Sequence, residues 1–131
     1  MPPDLPPPVL EVFYSPTCAP CRLELPVLAE VAGQEGSRVR IVILDQEARA
    51  RSELRAVSPH LDANAASPAG NAPRNLLRAA GNDRGILPYA RSVNAEGRVC
   101  STWSGMLTVK RARSLLAACA GLLSSPARSP S

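Results

Sequence analysis

The chain opens on Val9–Tyr14, a nearly continuous apolar run rich in β-branched and aromatic residues that predicts a short buried strand. Ser15-Pro16-Thr17 breaks it, and residues 22–32 return to helical spacing, with Gly33 as the expected stop. Residues 38–44 form a second apolar run, continuous enough for a central strand. Asp45 then leads into a polar helix over Glu47–Val57. Residues 58–73 are rich in Pro, Ala, Asn and Gly, and predict an irregular connection with at most a short edge strand near Leu61. A short helix is expected over 74–80, ended by Gly81. Residues 89–93 and 99–103 flank Asn94-Ala95-Glu96-Gly97-Arg98, a β-hairpin signal. Thr108 is a suitable N-cap for a last helix reaching Ala120, with Gly121 after it and Ala112, Leu115, Leu116, Cys119 and Leu123 on one stripe. Parallel strands joined by a helix, followed by an antiparallel hairpin, predict an α/β fold whose mixed sheet carries helices on both faces.

The candidate chemistry lies where the first strand hands over to the first helix, at Cys18-Ala19-Pro20-Cys21. Two thiols at this spacing, in this context, point to a dithiol redox site. Unpaired N–H groups and the helix dipole favour an anion at Cys18, which makes it the candidate nucleophile. Cys21, one turn on, is the candidate resolving thiol. Pro20 suits the first turn, where a missing N–H costs little. A zinc site is a rival reading, but the other ligand candidates, Cys100, Cys119 and His60, form no second close pair. A purely structural disulfide is the other rival, although so short a loop constrains little of the unfolded chain.

At 131 residues the chain is long enough for one domain with its own core, and the expected organisation is a Pro-rich tail over 1–8, a domain over 9–123 and a tail over 124–131. The net charge is +4, but the basic residues are interspersed with acids and no basic stripe carries aromatics, which argues against nucleic-acid binding. No stretch approaches the ~20 apolar residues of a membrane span. The N-terminus lacks the basic start and apolar stretch of a signal peptide, so the expected compartment is the cytoplasm as written, or the periplasm if a leader has been removed. Cys100 and Cys119 could be bridged; the favoured expectation is two buried free thiols. Trp103 is expected in core or sheet packing rather than as a ligand platform, and His60 in a loop.

From about Val9 to Leu123 the chain resembles the thioredoxin superfamily. The resemblance rests on the cysteine pair after a strand, Pro26 five residues after the second cysteine, Ile86-Leu87-Pro88-Tyr89 opening the hairpin, Glu96-Gly97 at its turn and Gly105 after it. The long connection over 58–73 is more like the bacterial disulfide-reductase branch. The resemblance implies a thiol–disulfide oxidoreductase acting on protein disulfides in the reducing direction, a role in electron transfer and cell redox balance. It implies no cofactor beyond the redox-active Cys18–Cys21 disulfide, and no bound metal. Its partners would be protein substrates and an electron-donating reductase, with no nucleic acid and no membrane span, and the chain would be a monomer. Pro88 would be cis, holding Leu87 open to a substrate strand. Ala19, Pro20, Pro26 and Glu24 would support the site. Two positions depart from the pattern: Val12 stands where the family carries a buried carboxylate, and Thr17 where a tryptophan commonly precedes the first cysteine. Glu11 should face away from Val12, whereas Glu24, one turn after Cys21, could act through water. The other readings are a non-catalytic module using the Pro88 groove, and a thiol chaperone in metal or haem maturation.

Overall fold

The computed structural model describes residues 7–35, 38–68 and 72–124; the side chains of 35 and 121–124 lie outside that description, as do most of both expected tails and Leu123 of the expected stripe. In chain order the elements are β1 (Val9–Tyr14), α1 (Ala19–Leu23), α2 (Leu25–Glu35), β2 (Val39–Ile43), α3 (Glu47–Val57), α4 (Pro59–Ala63), β3 (Ala65–Ala66), α5 (Pro73–Ala79), β4 (Tyr89–Val93), β5 (Val99–Ser104) and α6 (Val109–Ser124). The strands form one mixed sheet in the order β3-β2-β1-β4-β5. β1 runs parallel to β2, with Val12 opposite Ile41, and antiparallel to β4, with Val12 opposite Ala90.

Strand alternation divides the core in two. Leu10, Val12, Tyr14, Ile41 and Ile43 face one side, where Leu28 and Val31 of α2 and Leu115 and Leu116 of α6 cover them. Phe13 and Val42 face the other side and pack with Leu44, Leu77 and Tyr89. Each fully buried aliphatic side chain in the larger cluster contributes about 1.5–3 kcal/mol, so this face holds most of the fold's apolar stabilisation.

Several expectations need correction. The helix expected over 22–32 is two helices separated at Glu24, because Pro26 has no N–H to donate and its ring crowds the carbonyl four residues back. α2 runs through Gly33, where the backbone keeps a negative φ and no neighbour crowds the position. α6 likewise continues past Gly121 to Ser124. The region around Leu61 is the short helix α4, with Ser58 Oγ capping it through the His60 N–H at 3.2 Å, and the edge strand follows at Ala65–Ala66. His60 therefore lies in a helix rather than a loop. Cys100 and Cys119 are not free thiols: β5 and α6 pack closely enough to bring their Cα atoms to 5.0 Å, and the two are disulfide-bonded.

Candidate active site

β1 delivers the chain to the end of the sheet, and a network of short polar side chains fixes the turn that follows. Ser15 Oγ donates to Asp45 Oδ1 at 2.8 Å, lies 2.8 Å from Thr17 Oγ1 and accepts the Thr17 N–H at 3.2 Å. The Cys18 N–H closes the turn on the Ser15 carbonyl at 3.0 Å. Cys18 is then the N-cap of α1, in extended conformation, and its Sγ accepts the Cys21 N–H at 3.1 Å. Cys18 and Cys21 are disulfide-bonded, with Cα atoms 5.2 Å apart.

The two sulfurs occupy different environments. Cys18 is half-buried, whereas Cys21 is 1% exposed and belongs to the larger core cluster. Ala19 and Pro20 between them are exposed, with Pro20 in the first turn, and Pro26 is exposed beyond the break between α1 and α2. An incoming thiolate or disulfide therefore meets Cys18, while Cys21 is reached only from Cys18.

Pro88 lies at the same end of the sheet, one residue before Tyr89, which pairs with Phe13 of β1. The Leu87–Pro88 bond is cis. The Pro88 carbonyl accepts the Gly105 N–H at 2.9 Å, and Gly105 holds φ at +127°, a conformation that side chains disfavour. Leu87 and Cys18 both pack against the larger core cluster. Trp103 flanks this corner, with its indole N–H donating to the Met106 carbonyl at 3.1 Å and the Arg111 guanidinium 4.0 Å from its ring centre.

The least expected feature is Glu24. It sits at the break between α1 and α2, is 1% exposed, and accepts the Leu107 N–H on Oε2 at 2.9 Å. Burial raises its pKa to about 7, which the Leu107 hydrogen bond offsets only in part. The sequence placed Glu24 near Cys21 but carried no sign of its burial. Pro26, which breaks the helix here, was the one local clue. Val12 is buried on the same face as Cys21, and Glu11 points to the other face, into contact with Arg40 and Arg91. A second feature invisible in sequence is Tyr14 Oη donating to Glu53 Oε1 at 2.5 Å; burial, then this partner, raise the phenol's pKa.

No family model matches the sequence, and no curated protein matches it either. Solved structures do match, and they define the fold as thioredoxin-like. A thioredoxin-related protein from Neisseria meningitidis serogroup B superposes with a TM-score of 0.70 at 21% identity, covering 87% of this chain and 86% of that one. The exposed lipoprotein thioredoxin Etrx1 of Streptococcus pneumoniae gives 0.67 at 19% identity, over 85% and 84%. A secreted Mycobacterium tuberculosis disulfide oxidoreductase, described as homologous to E. coli DsbE, gives 0.57 at 17% identity, over 88% and 82%.

Proposed function

We propose that this chain is a thiol–disulfide oxidoreductase that reduces protein disulfides through Cys18 and Cys21. The observation that carries the reading is the asymmetry of the pair: a reachable sulfur at a helix N-cap, bonded to a sulfur sealed in the core. In the reduced protein the Cys18 thiolate attacks a substrate disulfide, forming a mixed disulfide and expelling one substrate thiolate. Cys21 then loses its proton and attacks Cys18 Sγ. The second substrate thiolate leaves, the Cys18–Cys21 bond forms, and two electrons have passed to the substrate. The Cys18–Cys21 disulfide of the structure is the product of that cycle, and an electron-donating reductase must return it to the dithiol.

Glu24 serves as proton acceptor for Cys21, directly or through water. A carboxyl group with a pKa of about 7, three residues beyond the resolving thiol, exchanges protons readily at neutral pH. It supplies the buried carboxylate that Val12 cannot, which removes the main support for a non-catalytic module. Leu87 and cis-Pro88 offer backbone for an extended substrate segment to pair with. The Cys100–Cys119 bond favours an oxidising compartment such as the periplasm over the cytoplasm. Among the described residues no helix is long and apolar enough to cross a membrane.

Insulin reduction tests the assignment. Cys18→Ser should abolish turnover, and Cys21→Ser should stop after one attack, accumulating a mixed disulfide visible by mass spectrometry. Full turnover by either variant would refute the roles of the two cysteines.

A further inference from the structure

Pro88 leads into β4, the neighbour of β1 on one side; on the other side, towards β2, a groove of about 460 Å³ runs between α1 and α3. It begins at Ala19, the residue after Cys18, and its apolar lining comes from Leu23 and Leu25 on one bank and Ala56 and Val57 on the other. Leu23 is 71% exposed and Val57 40%, so two large aliphatic side chains face solvent across the same depression. Isolated exposed aliphatics need no explanation, but a pair sharing one concave surface beside a reactive centre marks a contact site.

The charges of the groove are uneven. Glu53 is already engaged at both oxygens, by Tyr14 Oη at 2.5 Å and by Arg49 Nε at 3.1 Å. Arg22, on the opposite bank, has no carboxylate within ion-pair distance among the described residues. The groove thus offers apolar surface and one uncommitted cation, a combination that suits an aliphatic or aromatic side chain with an acidic neighbour.

We propose that this groove is a specificity subsite: it takes a bulky apolar side chain next to the reacting cysteine of a substrate polypeptide, with an adjacent carboxylate on Arg22. The proposal rests on the oxidoreductase reading, and deepens it by naming the substrate class. Continuity with Ala19 places the occupant within a residue or two of the attacked sulfur. Docking there would orient the disulfide toward Cys18, so it should raise the rate of attack as well as affinity.

The test uses disulfide-cyclised peptides that differ only beside the cysteine, as Asp-Leu, Asp-Ala or Lys-Leu, reduced by the pre-reduced full chain. The Asp-Leu peptide should react about tenfold faster than Asp-Ala, the discrimination an apolar pocket gives for a truncated side chain. It should also outpace Lys-Leu by several-fold at low salt and by less at high salt. Val57→Asp should erase the Leu preference, and Arg22→Gln the Asp preference. In parallel, the same peptides with serine in place of cysteine should shift the amide resonances of Leu23, Ala56 and Val57. Reduction without preference and without those shifts would overturn the subsite and leave the oxidoreductase intact. Shifts in the groove without any reduction would uphold the binding site and overturn the reaction; neither would overturn both.

Discussion

Glu11 and Glu24 are both nearly sealed from solvent, at 7% and 1% exposure, yet they lie on opposite faces of the fold and sit in opposite protonation environments. Glu11 is in β1, directly across from Arg40 on β2 and Arg91 on β4. Burial works to raise its pKa, but hydrogen bonds from Arg40 at 2.7 Å and Arg91 at 2.6 Å, with their charges, outweigh that and hold it below the ordinary value. Glu24 has a single backbone N–H, and desolvation prevails. Burial alone therefore does not decide what a carboxylate can do. A permanently charged Glu11 ties three strands together and has no proton to trade. Glu24, with no arginine beside it and only the Leu107 N–H to accept, has a pKa of about 7, so it can take up or release a proton at neutral pH, three residues along the chain from Cys21.

The contrast between the two carboxylates is tested most severely at Glu11. Glu11→Ala strands two guanidinium groups, and should cost about 3–4 kcal/mol in urea unfolding at pH 7, somewhat less than a fully buried pair because Arg40 is 44% exposed. Because its folded pKa is depressed, this contribution is present above the unfolded value of 4.5 and disappears as pH falls through the folded value. The variant should therefore lose the corresponding part of the acid-unfolding slope.

Removing both Cys100 and Cys119 as Cys100→Ser/Cys119→Ser releases a loop with a sequence separation of 19, and should cost about 3 kcal/mol. It serves as the control: a global loss of stability that leaves the titration of Glu24 and the activity of the Cys18 pair in place.

Glu24→Gln should act in the reverse sense. A raised folded pKa means the neutral form is favoured in the fold, so stability is full below about 4.5, declines as pH rises towards 7 and levels off above it. The variant should be about 3 kcal/mol more stable than wild type at pH 8 and equal to it near pH 4, with the slope between those values gone. Its single-turnover rate of mixed-disulfide resolution should fall, and the inflection near pH 7 in that rate should vanish. A rate profile unchanged by Glu24→Gln would remove the proton-transfer role while leaving the stability effect.

The smallest effect belongs to Arg40→Gln, about 1 kcal/mol, because its guanidinium is half in solvent and Arg91 still neutralises Glu11. A loss as large as that of Glu11→Ala would mean that Arg40 alone sustains the charge.

Much of this was legible in the chain, for reasons of range. β1, β2 and the β4–β5 hairpin follow from apolar runs and turn residues a few positions apart, and Cys18 and Cys21 need only the local handover from strand to helix to be brought together. The helices run on through Gly33 and Gly121 because a glycine ends a helix only where the backbone must turn left-handed, which neighbouring packing decides. The turn at 15–17 was legible as a break. Its anchoring to Asp45 was not, since that contact joins residues 30 apart in sequence.

Periodicities of two and of three to four residues are enough to specify the dithiol, the strands that present it and the faces on which Glu11 and Val12 lie. Folding in three dimensions was needed to seal Glu24 beneath the loop bearing Leu107, to bring Cys100 to Cys119, and to set Leu23 and Val57 across a groove from one another. Each of these joins groups far apart along the chain, so their separation in space, and with it desolvation and charge, exists only once the sheet and helices have packed.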